Sequence, residues 1–228
     1  MKSLLASIIE YIGQAKRCIA IVGSGGKTSL MVALAAAYAK GGERVLLSTT
    51  TKLQKPGARS YGCDRYYYDD AILETVAHPG ERIFYALDGE EKALAPPLER
   101  LARLTERFSV TLLEADGARA MDLKLHSERD PVIPPFTTAT IAVLSLAALG
   151  KPAATVCFGC DEHSIVDRAW LASYIRSPQG PMKGWVGRSL LLCNQSERVD
   201  EQQIRIVRAA CEGLPILFGS VALDTVVQ

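Results

Sequence analysis

The chain has 228 residues, of which 48% are hydrophobic, and its 26 basic and 25 acidic residues leave a formal net charge of +1. This size and apolar content suit one large α/β domain with a substantial core, so we expect a single nucleotide-binding domain over residues 1–228. The charges are spread along the chain, so no basic patch points to nucleic acid, and small molecules are the expected ligands.

The N-terminal segment, residues 1–17, is predicted to be an amphipathic helix. It lacks a small-residue cleavage site after a long apolar core, and no apolar run in the chain reaches the roughly 20 residues that a membrane helix needs. We therefore expect a cytoplasmic protein with no membrane partner.

The six cysteines lie in apolar segments, which favours buried thiols in a reducing compartment over a disulfide framework. Cys157 and Cys160 form the single CxxC pair. Without a second pair, chance or packing explains it better than a metal site, although His163 keeps that alternative open.

Residues 21–30, IVGSGGKTSL, follow an apolar run and precede an Ala-rich run, so we predict a strand, a glycine loop and a helix that together hold a phosphate. Lys27 would reach the β- and γ-phosphates, and the hydroxyl of Thr28 would ligate Mg²⁺. The predicted nucleotide-binding residues of the loop are Gly23, Ser24, Gly25, Gly26, Lys27, Thr28 and Ser29.

This loop is one residue tighter than the usual eight-residue phosphate loop, because Ile21 stands where that pattern has its first glycine. The shorter form resembles the Gly-Thr-x-Gly-Lys-Thr-Ser loop of the Mur ligases. A glycine-rich turn followed by an incidental Lys-Thr is the alternative, and the flanking strand and helix patterns disfavour it.

A second strand, Arg44 to Ser48, ends in Thr49-Thr50-Thr51-Lys52. Hydroxyl groups at the carboxyl end of a strand beside a phosphate loop fall where nucleotide and Mg²⁺ bind, which makes Thr49 a candidate metal ligand. Ordinary loop threonines are an equally open interpretation.

A later strand, Val110 to Leu113, leads into Glu114-Ala115-Asp116-Gly117. Carboxylates that end an apolar strand about 90 residues after a phosphate loop are typical of a site where one acid holds Mg²⁺ or its water. Lys27, Glu114 and Asp116 are therefore the predicted catalytic residues, and both acids with Thr28 are predicted metal ligands. A solvated Asp-Gly turn is the alternative.

The next twenty residues, 119–138, show no periodic pattern, and a long loop inside a compact domain is commonly functional. We predict a loop that contacts a client or its cofactor through Lys124, His126 and Asp130 and changes position with the nucleotide. A static surface loop is the alternative.

Strands that alternate with helices, several of them continuous apolar runs, predict an α/β fold. We expect a three-layer P-loop NTPase domain with a mostly parallel sheet and helices on both faces. The other predicted elements are helices at residues 28–40, 71–77, 96–107, 164–175 and 200–211 and strands at residues 61–70, 82–87, 140–146, 188–193 and 215–218.

The motifs GSGGKTSL, STTTKL, LLEADGAR followed by LK, and DPVIP, in that order, resemble the YqeC-like family, described as accessory proteins of selenium-dependent molybdenum hydroxylases. The resemblance spans nearly the whole chain. It implies a molybdenum hydroxylase or its cofactor-maturation proteins as partners. Residues 114–117 are also similar to the Glu-x-x-Gly element of the metallochaperone GTPases that load nickel or handle cobalamin.

Those GTPases recognise guanine with Asn-Lys-x-Asp, whereas this chain has Asn194-Gln195-Ser196-Glu197. The lysine that covers the base is absent, and a Glu replaces the Asp that accepts from guanine. Asn194 remains a candidate nucleotide-binding residue. ATP and GTP are both left open, and the ligase-like loop favours ATP.

These observations lead to the hypothesis of an Mg²⁺-dependent nucleoside triphosphatase that serves maturation of a molybdenum enzyme. A nucleotide-gated module that binds a client and hydrolyses little is an alternative. An acyl-phosphate-forming ligase is a weaker one, because 228 residues leave no room for the acceptor domains of the Mur ligases.

Overall fold

The computed structural model describes residues 2–13, 17–117 and 119–227. The helices are α1 (Leu4–Ile12), α2 (Lys27–Lys40), α3 (Leu98–Thr105), α4 (Ala153–Val156), α5 (Arg168–Arg176) and α6 (Glu201–Ala210). The strands are β1 (Arg17–Gly23), β2 (Val45–Thr49), β3 (Leu53–Gln54), β4 (Arg65–Tyr67), β5 (Arg82–Tyr85), β6 (Lys92–Ala93), β7 (Val110–Glu114), β8 (Leu123–Lys124), β9 (Ala139–Ser145), β10 (Cys157–Phe158), β11 (Arg188–Asn194), β12 (Ile216–Ser220) and β13 (Thr225–Val227).

Within the described ranges, nine strands form one sheet in the order β13-β12-β11-β9-β1-β7-β2-β5-β4. Every neighbouring pair is parallel except β12 and β13. The predicted α/β class with a mostly parallel sheet is confirmed. Strand β1 lies between β7 and β9, so the carboxyl ends of these central strands meet at one edge, where α/β proteins commonly bind ligands.

Helices cover both faces of the sheet, so the residues of β1 are buried on both sides. Ile19 and Ile21 pack in the same cluster as apolar residues of α1 and α2. Ala20 and Val22, which point the other way, pack with residues of α5 and α6. This alternation explains why β1 is a continuous apolar run, and it gives the predicted three layers.

Three predicted elements are wrong in type or extent. Of the strand predicted over residues 61–70, only Arg65–Tyr67 forms. Residues 71–77 were predicted as a helix, but only a five-residue 3-10 turn forms at Asp70–Glu74; the β-branched Thr75 and Val76 follow it. The helix predicted from residue 164 begins at Arg168, because the Asp167 side chain accepts a hydrogen bond from Trp170 N at 2.9 Å and caps the helix there.

The segment 119–138 contains a short strand that the sequence did not indicate. This strand, β8, pairs with β10. The sequence indicated neither this pair nor the β3–β6 ribbon, because two-residue strands have no readable period. Residues 1 and 14–16 of the predicted N-terminal helix, and Ala118 of the acidic motif, lie outside the described residues. In the part of the chain that is described, no helix has the length and apolar character to cross a membrane.

Candidate functional site

A cleft of about 740 Å³ opens at the carboxyl ends of β1, β7 and β2. The glycine loop and the start of α2 form one wall, and residues after β2 form another. Cations outnumber acids in its lining, which suits an anionic ligand. The charged lining residues are Lys27, Lys52, Arg59, Lys92, Arg119, Glu114 and Asp122.

The glycines of the loop are required by backbone geometry and by close packing. Gly25 and Gly26 have φ angles of 77° and 129°, which side chains other than glycine rarely adopt. A Cβ on Gly25 would lie 2.3 Å from Cβ of Ser145, and one on Gly26 would lie 2.4 Å from Nδ2 of Asn194. The loop therefore has its shape only because these positions lack side chains.

Four consecutive backbone N–H groups, those of residues 26–29, have no hydrogen-bond acceptor within residues 2–13, 17–117 and 119–227. They stand at the N-terminus of the 14-residue helix α2, and Gly26, the residue before the helix, offers no side-chain cap. Free N–H groups combined with the positive end of a helix dipole attract phosphate and other anions.

Lys27 is held by acceptors of the protein itself. Its Nζ lies 2.7 Å from the carbonyl oxygen of Gly23 and 3.0 Å from Oδ1 of Asp116. The other carboxylate oxygen of Asp116 accepts a hydrogen bond from Gly23 N at 2.8 Å. Asp116 is fully buried and lies behind the loop instead of lining the cleft.

Two residues predicted to contact a client bind Asp116 from the other side. His126 Nε2 lies 2.7 Å from Asp116 Oδ2, and His126 Nδ1 lies 3.0 Å from the carbonyl oxygen of Gly180. Both partners of the ring are hydrogen-bond acceptors. Lys124 Nζ lies 3.7 Å from Asp116 Oδ2 and donates to Asp130.

Lys124 and His126 are each only 1% exposed, so neither faces solvent. The side chain of Asp130, which accepts a hydrogen bond from Lys124, is 18% exposed. A client could touch the two buried side chains only after this segment moved.

The pKa values of the neighbouring acids Glu114 and Asp116 are shifted in opposite directions. Burial opposes ionisation of Asp116, but Lys27, His126 and Lys124 outweigh it and hold its pKa below the usual value. Burial raises the pKa of Glu114, and the charge of Asp116 raises it further, against the lowering effect of Lys27. Asp116 is therefore a carboxylate, whereas Glu114 more readily carries a proton.

Glu114 and Thr28 offer oxygen ligands at the cleft. Thr28 Oγ1 donates to Glu114 Oε2 at 2.7 Å, and both residues line the cleft. One carboxylate and one hydroxyl, completed by phosphate oxygens and waters, are a donor set that Mg²⁺ accepts. Thr49 is fully buried and donates to the carbonyl oxygen of Glu114 at 2.8 Å, while Thr51 lines the cleft.

Asn194 supports the glycine loop from behind. Its Nδ2 donates to the carbonyl oxygen of Gly25 at 2.9 Å, and its Oδ1 accepts from Val221 N at 3.0 Å. Both ends of the amide are thus used within the protein. The next residue, Gln195, lines the cleft and accepts from Ser145 Oγ at 2.6 Å.

Several cleft residues could not be found from the sequence. Arg119, Ala120 and Gln195 line the cleft with positive φ angles of 47°, 60° and 63°, the kind of backbone strain that collects at functional sites. Lys92 carried no signal either, because a two-residue strand has no readable period, and Lys52 was noted only as the end of the segment that follows the second predicted strand.

Both cysteines of the CxxC pair pack in an apolar cluster. Cys157 and Cys160 are buried free thiols, and burial raises the pKa of Cys157 to about 12. His163 is exposed. Within the described residues, no cluster of three His, Cys, Asp or Glu side chains could hold a metal ion.

Fold and site together define an α/β protein in which a large, mostly parallel sheet carries a glycine loop and a charged cleft at the ends of its central strands. The family model described as YqeC protein matches residues 19–161. A protein of Escherichia coli (strain K12), called uncharacterized protein YqeC, is 31% identical over 204 residues, which covers 80% of this chain and 78% of that protein. The chain belongs to the YqeC family, which confirms the resemblance drawn from its motifs.

Proposed function

We propose that this protein binds a nucleoside triphosphate with Mg²⁺ in the cleft and hydrolyses it in the service of maturing a selenium-dependent molybdenum hydroxylase. One observation carries the proposal: the four N–H groups of residues 26–29 lack acceptors in the described part of the chain and stand at the start of α2. Triphosphate oxygens would supply those acceptors.

Lys27 is one of these four residues, and its side-chain ammonium would bind the phosphates. In the structure this ammonium contacts Asp116 and the Gly23 carbonyl. Triphosphate binding would draw the ammonium toward the phosphates. Asp116 would then keep His126 and Lys124 as its partners, so the exchange leaves no buried charge alone.

Thr28 and Glu114 would hold Mg²⁺, which supplies charge neutralisation and a template for the phosphates when bound. Glu114 would also orient the attacking water, because its carboxyl reaches the cleft. Asp116, which is fully buried, would act through Lys27 and Gly23 instead. We therefore assign Asp116 the role of positioning the lysine and the loop.

Titration calorimetry with non-hydrolysable ATP and GTP analogues and Mg²⁺ tests the binding. We expect Lys27→Ala to lower triphosphate affinity by about 100-fold or more, because a charge-assisted contact to phosphate is lost. Lys40→Ala removes an exposed lysine at the other end of the same helix and should bind like the parent. Equal affinities of the two variants would refute the phosphate site, and the better of the two analogues identifies the base.

Glu114→Gln separates binding from chemistry. This variant should keep most of its triphosphate affinity and lose most Mg²⁺-dependent phosphate release, since the carboxyl acts on metal and water. Unchanged turnover would place the metal site elsewhere in the cleft.

The client is tested in the host cell. Deletion of the gene should lower the activity of a selenium-dependent molybdenum hydroxylase, and the parent gene, but not the Lys27→Ala gene, should restore it. Restoration by both genes would separate the accessory role from nucleotide binding. We place this role in the cytoplasm, where the six free cysteines would stay reduced.

A second candidate, a nucleotide-gated client-binding module, is favoured by one specific contact. His126, in the segment 119–138, shares the carboxylate of Asp116 with Lys27, so a change at Lys27 can reach that segment. Such a module would bind triphosphate with little turnover. Turnover measured with and without a client extract distinguishes it from the triphosphatase.

A further inference from the structure

The wall of the cleft that follows β2 carries cations that the glycine loop does not explain. It consists of residues 51–61 and of strand β6, and we call it the far wall. The cations of this wall that line the cleft are Lys52, Arg59 and Lys92, and Arg59 donates to Ser29 Oγ of α2 at 3.3 Å. None of them belongs to a phosphate-loop motif.

Strand register directs Lys92 into the cleft. In the β3–β6 ribbon Leu53 pairs with Ala93 and Gln54 pairs with Lys92. Leu53 and Ala93 are buried in the apolar core, so the Gln54–Lys92 pair faces the other way, where both residues line the cleft.

The far wall is held in place by a buried aromatic residue. Tyr61 is 1% exposed, and its hydroxyl donates to the carbonyl oxygen of Gln54 at 2.8 Å. Its ring packs on Phe84 with centroids 4.7 Å apart. The backbone at Gln54, between Lys52 and Arg59, is therefore anchored to the core.

The side-chain ammonium groups of Lys52 and Lys92 have no ion-pair or hydrogen-bond partner among residues 2–13, 17–117 and 119–227. Lys55, on the same segment, differs in this respect: it pairs with Asp88 at 2.8 Å and does not line the cleft. Two unpaired ammonium groups that face a concave space attract an anion.

Strand order separates the far wall from the other end of the cleft. Gln195 follows β11, the glycine loop follows β1, Glu114 ends β7, and the far wall follows β2. A nucleotide that extends from the start of α2 toward Gln195 would leave Lys52 and Lys92 free. Glu114, the proposed metal ligand, would then stand between the two parts of the cleft.

We propose that Lys52 and Lys92 bind a second, small substrate through its phosphate or carboxylate group, next to the terminal phosphate of the nucleotide. The inference rests on the proposed function for that neighbour, but the anion site itself needs only the two lysines. It makes the protein a two-substrate enzyme instead of one that acts on the nucleotide and water alone.

The site is tested on protein saturated with Mg²⁺ and a non-hydrolysable triphosphate, so that the phosphate positions at the loop are filled. Inorganic phosphate and, separately, malonate are titrated into this protein. The probe that binds with the higher affinity indicates whether the substrate carries a phosphate or a carboxylate. We expect the Lys52→Ala/Lys92→Ala variant to lose about tenfold or more of that affinity. The Lys55→Ala variant should bind phosphate or malonate as tightly as the parent. Triphosphate affinity should agree within about twofold among the parent, the double variant and Lys55→Ala.

Two results would overturn the proposal. One is a loss of triphosphate affinity in the double variant comparable to that of Lys27→Ala, which would assign both lysines to the nucleotide. The other is no binding of either probe to the loaded parent up to about 10 mM.

If the triphosphate itself does not bind, the same titrations are made without nucleotide in a Lys27→Ala background. Phosphate or malonate binding that depends on Lys52 and Lys92 there supports the site even though the proposed function has failed. Binding that ignores both lysines overturns it.

Discussion

The ammonium of Lys27 lies 3.0 Å from Oδ1 of Asp116, and this carboxylate is fully buried. The lysine that marks the glycine loop is thus held by an acid that solvent does not reach. Because His126 binds the other oxygen of the same carboxylate, one residue links the loop to the segment 119–138.

Amide substitutions of the two acids should differ sharply in stability. Asp116→Asn removes the buried counter-charge of Lys27 and leaves Lys124 with Asp130 alone, and removing one partner of a buried pair costs about 3–5 kcal/mol. Glu114→Gln keeps an oxygen that can accept from Thr28 Oγ1 and removes a charge that burial disfavours, so it should change the free energy of unfolding by less than about 1 kcal/mol. Urea unfolding measures both, and equal losses would contradict the assignment.

Acid should remove the contribution of Asp116 to stability in the metal-free protein. Its pKa in the folded state lies below the usual 3.8, so the unfolded chain binds the proton more readily. The ionised group therefore stabilises the fold above pH 3.8, and this stabilisation fades as the pH falls below 3.8 toward the folded-state pKa. The difference in unfolding free energy between the parent and Asp116→Asn should shrink over that range. A constant difference would contradict this linkage.

Gly26→Ala should damage the phosphate site directly. The added Cβ would lie 2.4 Å from Nδ2 of Asn194, and the φ of 129° is strained for any other residue. We expect a loss of triphosphate affinity of about tenfold or more, with a stability cost of about 1–3 kcal/mol. Gly57→Ala is the matched control, because no atom lies within 4 Å of its added Cβ and its φ is not positive. Similar behaviour of the two variants would argue against a preformed loop.

Limited trypsin digestion should detect movement of the segment 119–138. Arg119 and Arg129 in this segment are exposed and offer cleavage sites. We expect cleavage there to fall with a non-hydrolysable triphosphate and Mg²⁺ and to return with the diphosphate, because Lys27 and His126 share Asp116. The Arg129→Gln variant should lack the fragment that cleavage after Arg129 produces, and this identifies that fragment. Cleavage that ignores the nucleotide would indicate a static segment.

Local features of the site could be predicted because neighbours in sequence make them. Strand β1, the glycine loop and α2 follow one another directly, so spacing and residue type indicated all three. The strand ending in Glu114 was found in the same way, from an apolar run followed by an acid. The segment 119–138 was predicted only as a loop, because its strand and its buried side chains depend on distant residues such as Gly180.

The sequence by itself determined the α/β pattern, the glycine loop and the family. Only the tertiary structure decided that Glu114 reaches the cleft while Asp116, two residues later, lies buried among cations. It also decided that Asn194 braces the loop and that Lys92 faces the cleft. The physical reason is that burial and charge at a residue come from groups far away in the chain, whereas loop conformation and strand pattern come from the residues themselves.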